Sequence, residues 1–194
     1  GNGAFAQYEN SLAIGTDARS QAGGSVAIGV ATRVNGNEGV AIGLEATVGS
    51  TYGVAIGARA DATYESVAIG GNAKTGRSAV AVGTQAVAMG QDSTALGHGA
   101  YAAMQSGVAV GRSAISAGIS SIAIGDGATA NGLQSISVGT GNTVNGAHSG
   151  AIGDPSLINA DDSYAIGNNN TIAAGAKQSF VLGNNVAVTN ANNV

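Results

Sequence analysis

Branched aliphatic residues recur along this chain in pairs two positions apart, and a glycine follows each pair directly. Leu12/Ile14, Val26/Ile28, Val40/Ile42, Val54/Ile56 and Val67/Ile69 precede Gly15, Gly29, Gly43, Gly57 and Gly70. The series continues through Gly83, Gly97, Gly111, Gly125, Gly139, Gly153, Gly167 and Gly183, at intervals of 14 broken by two of 13 and a last one of 16. With the glycine as position zero, minus one is a branched aliphatic in every repeat. Minus three is Val, Leu or Ile except at Thr94, Gly150, Tyr164 and Phe180. Minus two and minus four carry only small side chains, apart from Val181. This period of two predicts a β-strand with a branched face and a tiny face. The branched face is expected inside, with Ile28, Ile42, Ile56 and Ile69 stacked in one interior column.

A second, weaker alternation follows each glycine. Two turn-like residues come first, as in Thr16-Asp17, Gly71-Asn72 and Asp126-Gly127. Ala then occupies plus three in most of the first nine repeats, and plus five is small or apolar, as at Val34, Val48, Ala88, Ala130, Val144 and Ile172. Plus four is free to be polar, as at Arg19, Arg33, Asp61 and Lys74. Each repeat is therefore strand, tight turn, strand, looser turn, with the second corner marked by Asn35-Gly36, Asn131-Gly132 and Asn145-Gly146. A fixed short period of this kind is the signature of a solenoid, whose repeats gain stability by stacking on their neighbours. The expectation is an all-β parallel β-roll of about thirteen coils. Stacked about 4.8 Å apart, they would make a rod roughly 60 to 65 Å long.

Composition narrows the class. The 194 residues include 33 Gly, one Pro, no Cys and no Trp, and the formal net charge is only −4. Disordered chains of low hydrophobic bulk are highly charged, so repetition is the better account of this one. No run of eighteen apolar residues occurs and the first residues lack a basic start with an apolar core, so neither a spanning helix nor a signal peptide is read. Gly1, Ala4 and Ala6 already fall in phase at zero, plus three and plus five, and the array runs on to Val188. The whole of 1-194 thus reads as a single repeat array cut from a longer one. An absence of cysteine fits either a reducing compartment or a secreted protein without disulfides.

A core built from two branched side chains per coil is thin, and the Ser/Ala/Gly face is flat enough for another backbone to approach. A chain partner is therefore expected along Ala41, Ala55, Ala68, Ala81, Ala109 and Ala123.

The units SVAIGVAT, GVAIGLEA, GVAIGARA, SVAIGGNA and SIAIGDGA resemble the repeats of the YadA-like head of trimeric autotransporter adhesins, over essentially the full length. The resemblance implies a left-handed parallel β-roll assembled as a homotrimer. It also implies display on the outer membrane surface of a Gram-negative bacterium and adhesion to host extracellular matrix proteins or cell-surface glycans. Handedness comes from the resemblance alone, since crossover rules favour the right hand. The stalk, neck and membrane anchor of that family are not read in this chain. Toward the carboxyl end the pattern loosens, with Asn142, Ser156, Asn170 and Val186 at plus three and a small insertion expected near 174–177.

Candidate chemistry is sparse, and no catalytic, cofactor or metal residues are assigned. His148-Ser149 falls at a corner and at the ordinary start of a pentapeptide, and Asp161-Asp162 and Asp126-Gly127 lack the glycine-aspartate nonapeptide of calcium β-rolls. Lone His98 has no second ligand at metal spacing. Basic residues in the first half stand among seven acids, which argues against nucleic acid. Tyr8, Tyr52, Tyr64 and Tyr101 fall at corners or in the plus-four column, where exposed aromatics can anchor a ligand. The expected ligand surface is Arg33, Tyr64, Lys74 and Tyr101. Alternatives are a structural spacer without a ligand, a left-handed β-helix acyltransferase, which needs a six-residue period, and an ice-binding solenoid, which needs an unbroken Thr ladder.

Overall fold

The computed structural model describes residues 1–190 and divides into two compact units, Gly1–Gly99 and Ala100–Val194. Both are built from one coil, and the chain is an all-β parallel solenoid of about thirteen turns with no helix among the described residues. In the first unit, three-residue strands from Leu12–Ile14 to Thr94–Leu96 alternate with two-residue strands from Phe5–Ala6 to Val87–Ala88. In the second, strands from Val108–Val110 to Phe180–Leu182 alternate with strands from Tyr101–Ala102 to Ala187–Val188. Long strands pair only with long strands and short with short, always parallel and in repeat register. Val40, Ala41 and Ile42 stand on Val54, Ala55 and Ile56, and Val34 stands on Val48.

The strands and their register follow the alternation, but the facing is reversed. Ala41, Ala55, Ala68, Ala81, Ala109 and Ala123 are all 0% exposed within the single chain. They point into the coil, so they cannot meet a partner. Ile42 and Val82, each 37% exposed, and Ile14 at 51% lie on the outer side, while Ile28, Ile56 and Ile69 are half-buried. The isoleucines do stack in one column, as register partners in successive coils, yet on the outside of the long-strand sheet. The physical reason is width. The interior is filled mainly by Ala at minus two, Ser, Gly or Ala at minus four, Ala at plus three, and Val, Ala, Ser, Thr or Ile at plus five, with Ile158 and Ile172 its largest side chains. Two sheets separated by so little leave no room for a second branched layer.

This interior is unusually polar for a core, and most of its hydroxyls are paired, those of Ser135 and Ser179 being exceptions. Ser20 and Ser25 bond at 2.5 Å, Ser116 and Ser121 at 2.6 Å, and Thr75 donates to Ser66 at 2.7 Å. Polar residues at plus three are also part of the packing. Thr32 Oγ1 donates to the carbonyl of Gly43 at 2.7 Å, and Asn170 Nδ2 donates to that of Gly183 at 2.7 Å while its Oδ1 accepts from Val186 N at 3.0 Å. The loosened pattern near the carboxyl end is thus a substitution of one interior solution, a methyl, by another, a buried amide that ties one coil to the next.

Besides the zero glycine, two backbone positions in most coils adopt positive φ. One is plus two (Asp17, Glu45, Arg59, Gln85) and the other minus five (Glu38, Tyr52, Ser78, Gln134), with φ between 52° and 60° at these residues. The expected corner glycines Gly36, Gly132 and Gly146 are not among the residues of positive φ. Their requirement is space: a Cβ on any of them would overlap the backbone carbonyl of the next coil.

Candidate functional site

Two outward surfaces are available for recognition. The long-strand sheet presents the minus-three and minus-one columns, which carry no charge in either unit. In the first unit its exposed members include Leu12, Ile14, Ile42 and Val82, and in the second Ile124, Ile152, Ile166 and Leu182. A continuous apolar stripe on a single chain marks a surface that something covers.

The short-strand sheet presents the plus-four column, and here the units differ. In the first the column runs Phe5, Arg19, Arg33, Thr47, Asp61, Lys74 and Val87. In the second it is uncharged: Tyr101, Ile115, Thr129, Thr143, Leu157, Thr171 and Ala187. Arg33 and Lys74 therefore share a column three coils apart, with Thr47 and Asp61 between them. Tyr101, 40% exposed, opens the same column of the second unit. Tyr64 belongs to neither column. It sits at a corner, half-buried, with the Arg77 guanidinium 5.1 Å from its ring centroid. Hydrogen bonding to the Glu65 carboxylate, and its charge, raise the Tyr64 phenol above its ordinary value.

Other polar contacts repeat at the coil period. Arg59 Nε bonds Glu45 at 2.8 Å, Arg112 bonds Asp126, and Lys177 Nζ bonds Asp161 at 2.7 Å. Asn131, Asn145 and Asn159 form a carboxamide ladder with 2.7 Å steps. His148 Nδ1 lies 3.5 Å from Asp162, while the Ser149 hydroxyl turns inward, donating to Ala160 O at 2.8 Å and accepting from Ser163 N at 3.0 Å. These two residues do not face each other as nucleophile and base would. No group of three metal-ligating side chains occurs among the described residues. The concavities are shallow: one of about 240 Å³ between Thr143, Pro155, Leu157 and Thr171, another of about 410 Å³ along a corner at Glu9, Asn37 and Glu38.

A solenoid with extended uncharged and mixed columns is suited to surface contact. The family model described as the YadA head domain repeat (2 copies) matches residues 9–32, 35–60, 75–100, 102–128, 116–142 and 130–154, well over half of the chain. The chain belongs to the YadA head domain family. YadA heads belong to trimeric autotransporter adhesins, so the repeats identify an adhesin head. Comparison with curated proteins gives no match. Sequence reasoning located the plus-four column but not the apolar face. The signal was present in the unbroken aliphatic minus-one column, and it was assigned to the wrong side of the sheet.

Proposed function

We propose that this YadA head works as a homotrimer on the surface of a Gram-negative bacterium and attaches to host matrix proteins or cell-surface glycans. The observation that carries the reading is the apolar outer face of the long strands. Two further copies of the chain are its occupants, because the face is uncharged, repeats at every coil, and belongs to a family of trimeric adhesins. With that face covered, the short-strand columns remain outward. Both units then serve one head, and each outward residue is shown three times. Contacts at Arg33, Tyr64, Lys74 and Tyr101 are individually weak and are multiplied by avidity. The alternative, a spacer with no ligand, has the same fold and assembly. Binding of the purified protein to immobilised matrix proteins and a glycan array separates them. The adhesin reading expects a saturable signal that falls by small steps in single alanine variants of the four residues, and absence of binding to every surface would favour the spacer.

A further inference from the structure

Arg19 and Arg33 are direct register partners on adjacent parallel short strands, both exposed. Like charges placed opposite each other across a strand pair repel, here at the strand spacing of about 4.8 Å. Neither arginine has an acid within ion-pair distance, although Arg59 and Arg112 each have one from a neighbouring coil, as does Lys177. The pair is thus a like-charged step, whereas Arg59, Arg112 and Lys177 are each matched by an acid.

Its surroundings are specific as well. Phe5, 50% exposed, is the register partner of Arg19 on the other side, so an open aromatic side chain continues the same column. Two residues further along each strand stand Gln7, Gln21 and Asn35. Their backbone amides stay in the ladder, bonding Ser20 O, Val34 O and Val48 O at 2.8 to 3.0 Å, which keeps them in strand register. Their side-chain carboxamides make no hydrogen bond among the described residues.

We propose that Phe5, Arg19, Arg33, Gln7, Gln21 and Asn35 form a binding surface for an acidic glycan carrying sulfate or carboxylate groups. The guanidinium forks match the planar or tetrahedral oxyanion bidentately. The carboxamides offer donors and acceptors for ring hydroxyls, and the positive edge of C–H groups on a sugar suits the negative face of the Phe5 ring. An acidic peptide would use the arginines but leave the ring and carboxamides without a role. Nucleic acid would need a longer basic track than two residues in a chain of net charge −4.

The inference rests on the adhesin reading and names a ligand class for it. Titration calorimetry would compare a heparin octasaccharide, a hyaluronan octasaccharide, dextran and polyglutamate, using the whole protein, the R19Q/R33Q double variant, F5A, and R59Q as a control whose arginine is already paired. Melting curves would confirm that the variants stay folded. Expected is binding to one or both acidic saccharides, weakened at least tenfold in R19Q/R33Q and several-fold in F5A, with R59Q within twofold of the unmodified protein. Equal binding by R19Q/R33Q, equal binding to polyglutamate, or no binding to either acidic saccharide would overturn the proposal. In those cases retained attachment to matrix proteins would leave the adhesin reading standing, and its absence would remove that too.

Discussion

Gly43 has φ of +137°, and a Cβ built on it would lie 2.5 Å from the carbonyl oxygen of Gly57 in the next coil. Two separate constraints, conformation and close approach, thus act on one atom position, and they recur at every zero position with a further coil stacked on it inside a unit. Gly127 separates them, because it has φ of +64° but nothing within 4 Å of its Cβ position. Gly43→Ala is expected to cost about 3 kcal/mol or more, from overlap with backbone that cannot move aside. Gly127→Ala should cost only about 1 kcal/mol, the conformational share. Urea unfolding midpoints of the two variants check this, and equal losses would remove the close-approach argument. The zero-column glycines were legible because only glycine satisfies both constraints. The plus-two turn was legible from Asp17, Asn72 and Gly127, but the positive-φ corner at minus five was not, since Glu38, Tyr52 and Ser78 occupy it and none is a residue that announces such a turn.

Alternation along Val54, Ala55 and Ile56 was enough to place a strand, its partners and its register, but not to say which side is inside. The usual rule sends branched residues inward, and the long strands of the single chain do not follow it. Inside the coil, Ala55 is fully buried. Ala55→Leu is therefore expected to destabilise the coil by about 1 to 3 kcal/mol through overpacking, visible as a lower thermal midpoint. A neutral effect would mean that the interior is wider than described. The last, lengthened coil depends on a different device, the Lys177–Asp161 ion pair together with the bond from Ala147 N to Asp161 Oδ1 at 3.0 Å. The hydrogen bond from Lys177 lowers the Asp161 pKa, helped by the bond from Ala147, and Asp161 raises that of Lys177. Because the carboxylate value is depressed in the folded chain, its contribution is complete above about pH 4 and is lost as pH falls through the folded value. The lysine contribution is complete below about pH 10 and is lost as pH rises through its raised value. Both groups are exposed, so the effect is small. In Asp161→Asn the acid-side decline of the urea midpoint should flatten, and an unchanged profile would assign that decline to other carboxylates.

The ligand candidates divide at the scale of the whole molecule for the same reason as the strands. Arg33 and Lys74 were legible as outward because plus four alternates with two buried neighbours, whereas the Tyr64–Arg77 stack joins residues thirteen apart and needs the coil period as well as the alternation. The trimer was inferred from a thin core and a family likeness, and its contact surface was placed on alanines that the fold encloses. The proposed contact surface in their place is the aliphatic face of the long strands, whose small residues point inside while their branched residues are offered to two further copies. The most direct measurement is the solution mass by sedimentation equilibrium of the unmodified chain, of 18.5 kDa per copy, beside a variant with Ile42, Val82, Ile124 and Ile152 each changed to Asp. The account predicts a trimer for the first and, for the second, a smaller species that retains its β-sheet circular dichroism. An unmodified chain that stays monomeric at every concentration, or a variant that remains trimeric, would contradict it.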